Sequence, residues 1–194
     1  RQIQGIVNFL VVVRTMKGVC ADEPAFQVSG HPTYDPAKIY YHGNSQGGIF
    51  GMTVAGVSTD IDHFGIGVGA ASYSVFMPRS IDWATYSTVV AAWYRIPLDR
   101  YLILAMLGQT WERTDPAVFT AHMFDPALGG LPNKRVLMQV GRGDAQVHNV
   151  GSDLAARNMG LPVYTPPIYT EYGLTPFTDP SDNGYFMYDT GAPP

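Results

Sequence analysis

The segment Gly43-Asn44-Ser45-Gln46-Gly47 constrains the fold of this chain more than any other stretch of its sequence. The short aromatic run 38–42 before it predicts a buried strand, and the glycine-rich apolar run 48–57 after it predicts a tightly packed helix. A chain that passes directly from a strand into a helix must turn sharply at Ser45, and small residues on both sides let it pass close to itself. The sequence therefore predicts a strained turn that pushes the Ser45 hydroxyl out of the sheet.

The spacing of glycines around Ser45 is only moderately specific. The chain has 194 residues, 21 glycines and nine serines, so the same spacing arises by accident in roughly one chain in ten. The predicted strand before it, the predicted helix after it and the additional Gly48 favour the strained turn. An ordinary glycine-rich turn is the alternative.

The composition limits the classes of protein to which the chain can belong. A hydrophobic content of 46% in 194 residues predicts one well-cored domain with room for a small insertion. Only 14% of the residues are charged, which indicates extensive burial or a surface that something else covers. The net charge of −4 without a basic run argues against a nucleic-acid partner.

Cofactor and membrane signals are also missing from the sequence. Cys20 is the single cysteine, and no zinc spacing, EF-hand or P-loop pattern occurs, so we expect neither a disulfide nor a metal nor another cofactor. The apolar run 6–13 is too short to cross a bilayer. These features predict a soluble protein, and they leave its compartment open among secreted, periplasmic and cytoplasmic.

Strand and helix patterns alternate along the chain. Helices are predicted at residues 2–17, 48–57 and 150–159, and strands at 38–42, 64–69, 135–140 and 184–188. Proline-rich and turn-rich stretches predict loops over 21–37 and 161–184. This alternation predicts an α/β fold with a mostly parallel sheet flanked by helices.

Residues 72–131 differ from the rest of the chain in their pattern of apolar and aromatic residues. Apolar and aromatic runs at 83–94 and 98–111, broken at Pro97 and Pro116, predict helices with little hydrophilic surface. We interpret this segment as a helical cap inserted over the site, between core segments 1–71 and 132–194; a pair of ordinary sheet-covering helices is the alternative. Aromatic residues of the segment would either line an apolar cleft or simply pack together: Trp83, Tyr86, Trp93, Tyr94, Tyr101 and Trp111.

Asp144 is the candidate acid. A serine hydroxyl is a poor nucleophile unless a base takes its proton, and that base is usually a histidine held by a carboxylate. Asp144 lies in Gly-Arg-Gly-Asp, directly after the predicted strand 135–140. Ligand-facing groups of open α/β sheets lie at such carboxyl ends of strands. The alternative is that Asp144 only caps the turn that follows.

These two segments resemble a known family. Strand-G-N-S-Q-G-G-helix at 38–57 resembles the nucleophile elbow of the α/β hydrolases, and strand-G-R-G-D-A-Q-V before helix 150–159 resembles their acid-bearing strand. The resemblance implies a serine esterase or lipase-like enzyme that acts without a cofactor on a small ester. If the aromatic residues of the cap line a cleft, that ester has an apolar acyl or aromatic part. The same machinery also serves peptidases and thioesterases.

The resemblance also implies residue roles. Ser45 would be the nucleophile and Asp144 the acid of a catalytic triad, while the backbone N–H of Gln46 would form one half of the oxyanion hole. Gly43 and Gly47 would be the glycines of the elbow.

The histidines depart from the family pattern. In the family the base follows the acid past one further strand, whereas here only His148 follows Asp144, by four residues. We therefore expect the base outside this segment, with His148 as a substitute only. Of the other histidines, three are predicted to be structural: His42, His63 and His122. His31 lies in a proline-rich loop and carries no signal.

The chain opens on the helix before the elbow strand and stops six residues after the last predicted strand. This arrangement predicts the middle and rear of a longer hydrolase, looking truncated at both ends, with the remainder of the same polypeptide as a candidate partner. The missing base also motivates an alternative function: a non-catalytic binding or assembly protein on a degenerate hydrolase fold.

Overall fold

A parallel six-stranded β-sheet forms the centre of the computed structural model, which describes residues 1–125, 131–177, 183–189 and 191. The strands are, in chain order, β1 (Gln27–Val28), β2 (His31–Pro32), β3 (Tyr41–Asn44), β4 (His63–Gly67), β5 (Arg135–Gly141), β6 (Val163–Tyr164), β7 (Pro176–Phe177) and β8 (Gly184–Tyr188). β1 and β2 form a separate antiparallel hairpin. The order in the large sheet is β3-β4-β5-β8-β6-β7, and each neighbouring pair is parallel.

Helices connect and cover these strands. They are α1 (Gln2–Lys17), α2 (Val19–Asp22), α3 (Gln46–Val57), α4 (Tyr73–Phe76), α5 (Ala84–Trp93), α6 (Pro97–Trp111), α7 (Pro116–Thr120) and α8 (Asn149–Met159). The predicted fold class, α/β with a mostly parallel sheet flanked by helices, is therefore confirmed. Pro97 and Pro116 each occupy the first position of a helix, where the missing proline N–H costs nothing.

The two faces of the sheet differ. The chain advances from β3 to β4 to β5 in one direction, and right-handed crossovers then place the connecting helices on the same face. Val136, Met138 and Val140 of β5 point to that face and are buried in the main core. Leu137 points to the opposite face and remains 39% exposed.

A second, smaller core lies beside the main one. Its buried members are Ile49, Ala70, Tyr73, Phe76 and Val147. Ile49 lies in α3, and Tyr73 and Phe76 lie in α4. Ala70 lies between β4 and α4, and Val147 lies in the loop after β5. This cluster therefore joins α3 to the segment predicted as a cap.

The segment predicted as a cap contains α4 to α7, and its residues 126–130 lie outside the described part of the chain. α5 buries none of its residues, and α6 buries only Leu104. Despite this exposed apolar surface, no helix in the described residues combines the length and the apolar character needed to cross a membrane.

Some predicted boundaries were wrong. β3 runs over Tyr41–Asn44, because its pairing with β4 continues to the register Asn44↔Gly67, and α3 follows at once from Gln46. The predicted loop 161–184 contains β6 and β7. Strands of two residues are too short to leave a periodic signal in the sequence. Residues 178–182 of that loop lie outside the described residues.

Candidate active site

Ser45 occupies a sharp turn between β3 and α3. Its backbone angles are φ 55° and ψ −120°, a conformation that a residue with a side chain rarely adopts and that costs about 1–3 kcal/mol. The Ser45 N–H donates to the carbonyl oxygen of Gly67 at 3.0 Å, and its own carbonyl accepts from Ile49 at 2.9 Å. The Ser45 side chain is exposed at the carboxyl edge of the sheet.

The three glycines around Ser45 differ in how much room a side chain would have. A Cβ on Gly43 would lie 2.5 Å from the Gly47 carbonyl oxygen, and a Cβ on Gly48 would lie 2.3 Å from the Gly67 carbonyl oxygen. A Cβ on Gly47 would meet only the Tyr41 hydroxyl, at an ordinary 3.9 Å. That hydroxyl donates to the Gly47 carbonyl at 2.6 Å and braces the turn. Close packing thus demands glycine at 43 and 48 and tolerates a side chain at 47.

Backbone strain gathers near Ser45. Val68 and Ser72, which follow β4, also have positive φ, at 42° and 63°. The Val68 N–H donates to the Gln139 carbonyl at 2.7 Å, which ties this stretch to β5. Strained residues persist only where surrounding structure holds them, and they concentrate at functional sites. The observed strain therefore marks this edge of the sheet as the candidate site.

A cavity of about 220 Å³ opens beside Ser45. Its lining comes from the elbow, from the segment predicted as a cap and from the loop after β5: Gln2, Ser45, Gln46, Ile49, Phe50, Tyr73, Phe76, Met77, Ser80, Asp82, Trp83, Tyr86, Gln146 and Val147. The rings of Trp83 and Tyr86 stack at 5.7 Å. Apolar and aromatic side chains form the larger part of the walls, and Gln2, Ser80, Asp82 and Gln146 add polar groups.

The aromatic residues singled out in the sequence separate into groups. Trp83 and Tyr86 line the cavity with Ser45, whereas Tyr101 lines a separate one with Trp83. Trp93 is exposed. Trp111 packs its ring against Tyr73 at 5.8 Å.

Gln46 begins α3 directly after Ser45. The N–H groups in the first turn of a helix have no acceptor within the helix, and the helix dipole adds a partial positive charge there. An oxygen that becomes negative beside Ser45 would meet these donors. The Gln46 side chain is itself exposed.

Asp144 lies on the loop after β5, at the same edge of the sheet as Ser45. Only β4 separates β3 from β5, so the two strands are about 10 Å apart. Asp144 Oδ1 accepts from the N–H groups of Gln146 at 2.9 Å and Val147 at 2.8 Å, the turn-capping contact that was the alternative reading. Gln146 and Val147 line the Ser45 cavity, so Asp144 belongs to a loop that borders this cavity.

His148 has a structural contact of its own. Its Nδ1 accepts from the Val150 N–H at 3.2 Å and caps α8. His63 pairs with Asp62 at 2.6 Å, and His122 lies 3.9 Å from Asp125. His42 is exposed on β3 and His31 in the β1–β2 hairpin. All five histidines are among the described residues, and none lines the cavity with Ser45.

Asp115 is a residue of this site that sequence reasoning missed. It is buried, and its carboxylate accepts from the N–H groups of Ser72 and Tyr73, each at 2.8 Å, and of Ala117 at 2.9 Å. The cap on α7 was readable from an aspartate followed by Pro116. The bond to Ser72 was not, because the two residues are 43 positions apart.

The described residues include no group of three or more histidine, cysteine, aspartate or glutamate side chains arranged to hold a metal ion.

Comparisons with known proteins identify no family for this chain. No family model matches the chain. No curated protein matches it either.

Among solved structures, the chain is similar to a Mycobacterium tuberculosis puromycin-hydrolyzing peptidase, with 15% identity and a TM-score of 0.48. The similarity covers 80% of this chain but only 18% of that structure. A likeness at this level assigns no activity to the chain. The function has to follow from the geometry around Ser45.

Proposed function

We propose that this chain carries the nucleophile of a serine hydrolase that cleaves carboxylic esters. One observation carries the proposal: Ser45 is exposed and has a strained backbone between β3 and α3. Strain of this kind lowers the stability of the fold. In return, it places Ser45 in an exposed position in front of the N-terminus of α3. The cavity beside Ser45 supplies room for a substrate.

The reaction begins with attack of Ser45 Oγ on the ester carbonyl carbon. The hydroxyl proton passes to an imidazole, and the carbonyl oxygen becomes an oxyanion. The N–H of Gln46 donates to that oxyanion, a contribution of about 3 kcal/mol for one donor. The alcohol then leaves with the proton from the imidazolium, and water releases the acid from the acyl-enzyme in the same way.

Asp144 is proposed to orient the imidazole. Its Oδ1 accepts from two backbone N–H groups, which holds the carboxylate in place and leaves Oδ2 to accept from an imidazole. None of the five histidines lines the cavity, so we propose that the imidazole comes from outside residues 1–194. His148 would serve only if it gave up its cap on α8.

The cavity favours a small ester. A volume of about 220 Å³ with largely aromatic and aliphatic walls suits a short apolar acyl group or an aromatic ring. Peptides and thioesters would be attacked by the same nucleophile.

Added imidazole tests the proposal on this chain itself. With imidazole supplied from solution as the base, a fluorophosphonate probe should label Ser45, and p-nitrophenyl butanoate should be hydrolysed faster than by imidazole alone. Ser45→Gly is the best inactive variant, because glycine adopts a φ of 55° without strain. It should fold and lose both labelling and turnover.

Ser80→Ala is the matched control, because Ser80 lines the same cavity. Its labelling should equal that of the unaltered chain. A non-catalytic binding protein is the second candidate, favoured by the lack of a histidine in the cavity lining. Folded protein that stays unlabelled at Ser45 across a range of imidazole concentrations would decide for that candidate.

A further inference from the structure

A second cavity, of about 480 Å³, lies between α1 and α3 and is larger than the cavity at Ser45. We call it the α1–α3 cavity. Three residues line both cavities: Gln2, Gln46 and Phe50. Gln46 directly follows Ser45 in the chain, so the α1–α3 cavity begins beside the candidate nucleophile.

The α1–α3 cavity extends along both helices, and most of the side chains around it are apolar. On α3 its lining runs from Gln46 to Val54, a stretch of about 12 Å along the helix axis. The ring of Phe9 packs against that of Tyr41 at 5.2 Å within this lining. α1 contributes one of its faces, at the spacing of the helical repeat: Arg1, Gln2, Gly5, Ile6 and Phe9. A mostly apolar space of this length suits an extended hydrocarbon chain.

Gly5 in this lining is a glycine that packing does not require. A Cβ on Gly5 would have no described heavy atom within 4 Å, whereas a Cβ on Gly51 of α3 would lie 2.4 Å from the Tyr41 ring. Gly5 lies inside the helix α1, where glycine lowers stability relative to alanine. What Gly5 provides in this structure is open space on the α1 side of the cavity.

We propose that the α1–α3 cavity binds a linear apolar chain of the ester whose carbonyl carbon Ser45 attacks. This inference rests on the function proposed above and extends its substrate class. The Ser45 cavity, with the stacked rings of Trp83 and Tyr86, takes a ring or a short group. The substrate is an ester that joins such a group to a chain of about eight carbon atoms, which matches the length of α3 in the lining.

Esters that differ only in chain length test the inference. p-Nitrophenyl butanoate and octanoate vary the acyl side, and ethyl and octyl benzoate vary the alcohol side. With imidazole supplied as the base, the turnover that Ser45→Gly lacks is measured for each ester. In one of the two series, kcat/KM should favour the longer ester by at least about tenfold more than imidazole alone does, because burial of each methylene is favourable.

Gly5→Leu should remove this preference, because the leucine side chain occupies the space in which the substrate chain would lie. It should lower kcat/KM for the longer ester at least about tenfold relative to the shorter one. Val7→Leu is the control, since Val7 is 45% exposed, lies about 200° around α1 from Gly5 and does not line the cavity. It should leave the chain-length preference as it is. Equal effects of Gly5→Leu on both esters of each series overturn the inference.

The stability of Gly5→Leu is a second readout. Its Tm should equal or exceed that of the unaltered chain, because leucine has a higher helix propensity than glycine and its side chain enters open space. A clear fall in Tm would mean that the space is filled in solution, which overturns the inference.

The unaltered chain separates the two proposals. Ser45-dependent turnover without a chain-length preference in either series overturns this inference alone, and that result decides even if Gly5→Leu does not fold. If Ser45-dependent turnover is found with none of the esters, the proposed function fails and this inference fails with it.

Discussion

The strained backbone of Ser45 is unfavourable by itself, and contacts from neighbouring residues hold it in place. Its positive φ is held by a backbone hydrogen bond to Gly67 and by close packing of glycine backbones on both sides. The tightest of these approaches, at Gly48, is to a neighbouring strand and not to the turn itself. A side chain at Gly48, which packs against β4, should therefore destabilise the turn more than a side chain at Gly47.

Gly47→Ala and Gly48→Ala should have opposite effects on stability. Alanine at 48 would place its Cβ 2.3 Å from the Gly67 carbonyl oxygen, which forces α3 away from β4; we expect a loss of about 3 kcal/mol or more. Alanine at 47 meets only an ordinary 3.9 Å contact and should gain up to about 1 kcal/mol from its higher helix propensity. Urea unfolding of both variants measures the difference, and equal losses would contradict the packing argument.

At the scale of elements, a buried acidic cluster joins α8 to β8 and to the loop between β6 and β7. Asp153 of α8 accepts from the hydroxyl of Tyr185 at 2.7 Å and from that of Tyr169 at 3.2 Å. Glu171, from the same loop as Tyr169, is 6% exposed, and among the described residues neither of its carboxylate oxygens has a hydrogen-bond partner. Burial, and then the charge of Asp153, raise the pKa of Glu171 to about 7.

This cluster predicts a pH dependence of stability. Because the Glu171 pKa rises from 4.5 unfolded to about 7 folded, the folded state binds more protons between these values. The free energy of unfolding should therefore be highest below pH 4.5 for this group and fall as the pH rises to 7. Glu171→Gln should remove that loss and be more stable than the unaltered chain at pH 8, by at most about 3 kcal/mol.

Urea unfolding at pH 5 and pH 8 checks this prediction. The control is Glu112→Gln, since Glu112 is exposed and its substitution should leave the pH dependence as it is. If Glu171→Gln is less stable than the unaltered chain at pH 8, the carboxylate is paired in solution and the prediction is wrong.

Across the whole molecule, the parallel sheet has two unlike faces. Parallel sheets are usually covered on both faces, because their crossover helices lie on both. Here β3, β4 and β5 follow one another in space as they do in sequence, which directs successive crossovers to one face. The other face exposes Leu137, Arg135 and Tyr188.

Adjacent residues of β5 should therefore respond very differently to truncation. Met138 is 0% exposed in the main core, so Met138→Ala should cost about 2–5 kcal/mol. Leu137 is 39% exposed on the other face, so Leu137→Ala should cost less than about 1 kcal/mol. Thermal and urea unfolding of both variants measure these costs, and equal costs would mean that the face of Leu137 is covered in solution.

Part of this protein was predictable because it is encoded by short-range patterns. The elbow at Ser45 is one such part, since the close approach that demands glycine at 43 involves Gly47, only four residues away. The starts of α6 and α7 are also encoded locally, because Pro97 and Pro116 are their first residues. The sequence analysis treated these prolines only as breaks between helices. The position of Asp144 at the end of β5 also followed from the order of strand and turn residues.

The alternation of strands and helices, and the serine at their sharpest junction, follow from neighbours within a few residues and so can be predicted from the amino-acid order alone. Three features follow only from the folding of distant segments onto each other: Gly48 packs against Gly67, Asp115 accepts from Ser72 and Tyr73, and Tyr73 lines the cavity beside Ser45. Those contacts join distant segments. A buried carboxylate must find donors, but which backbone N–H groups it finds depends on how the helices pack and leaves no local signal.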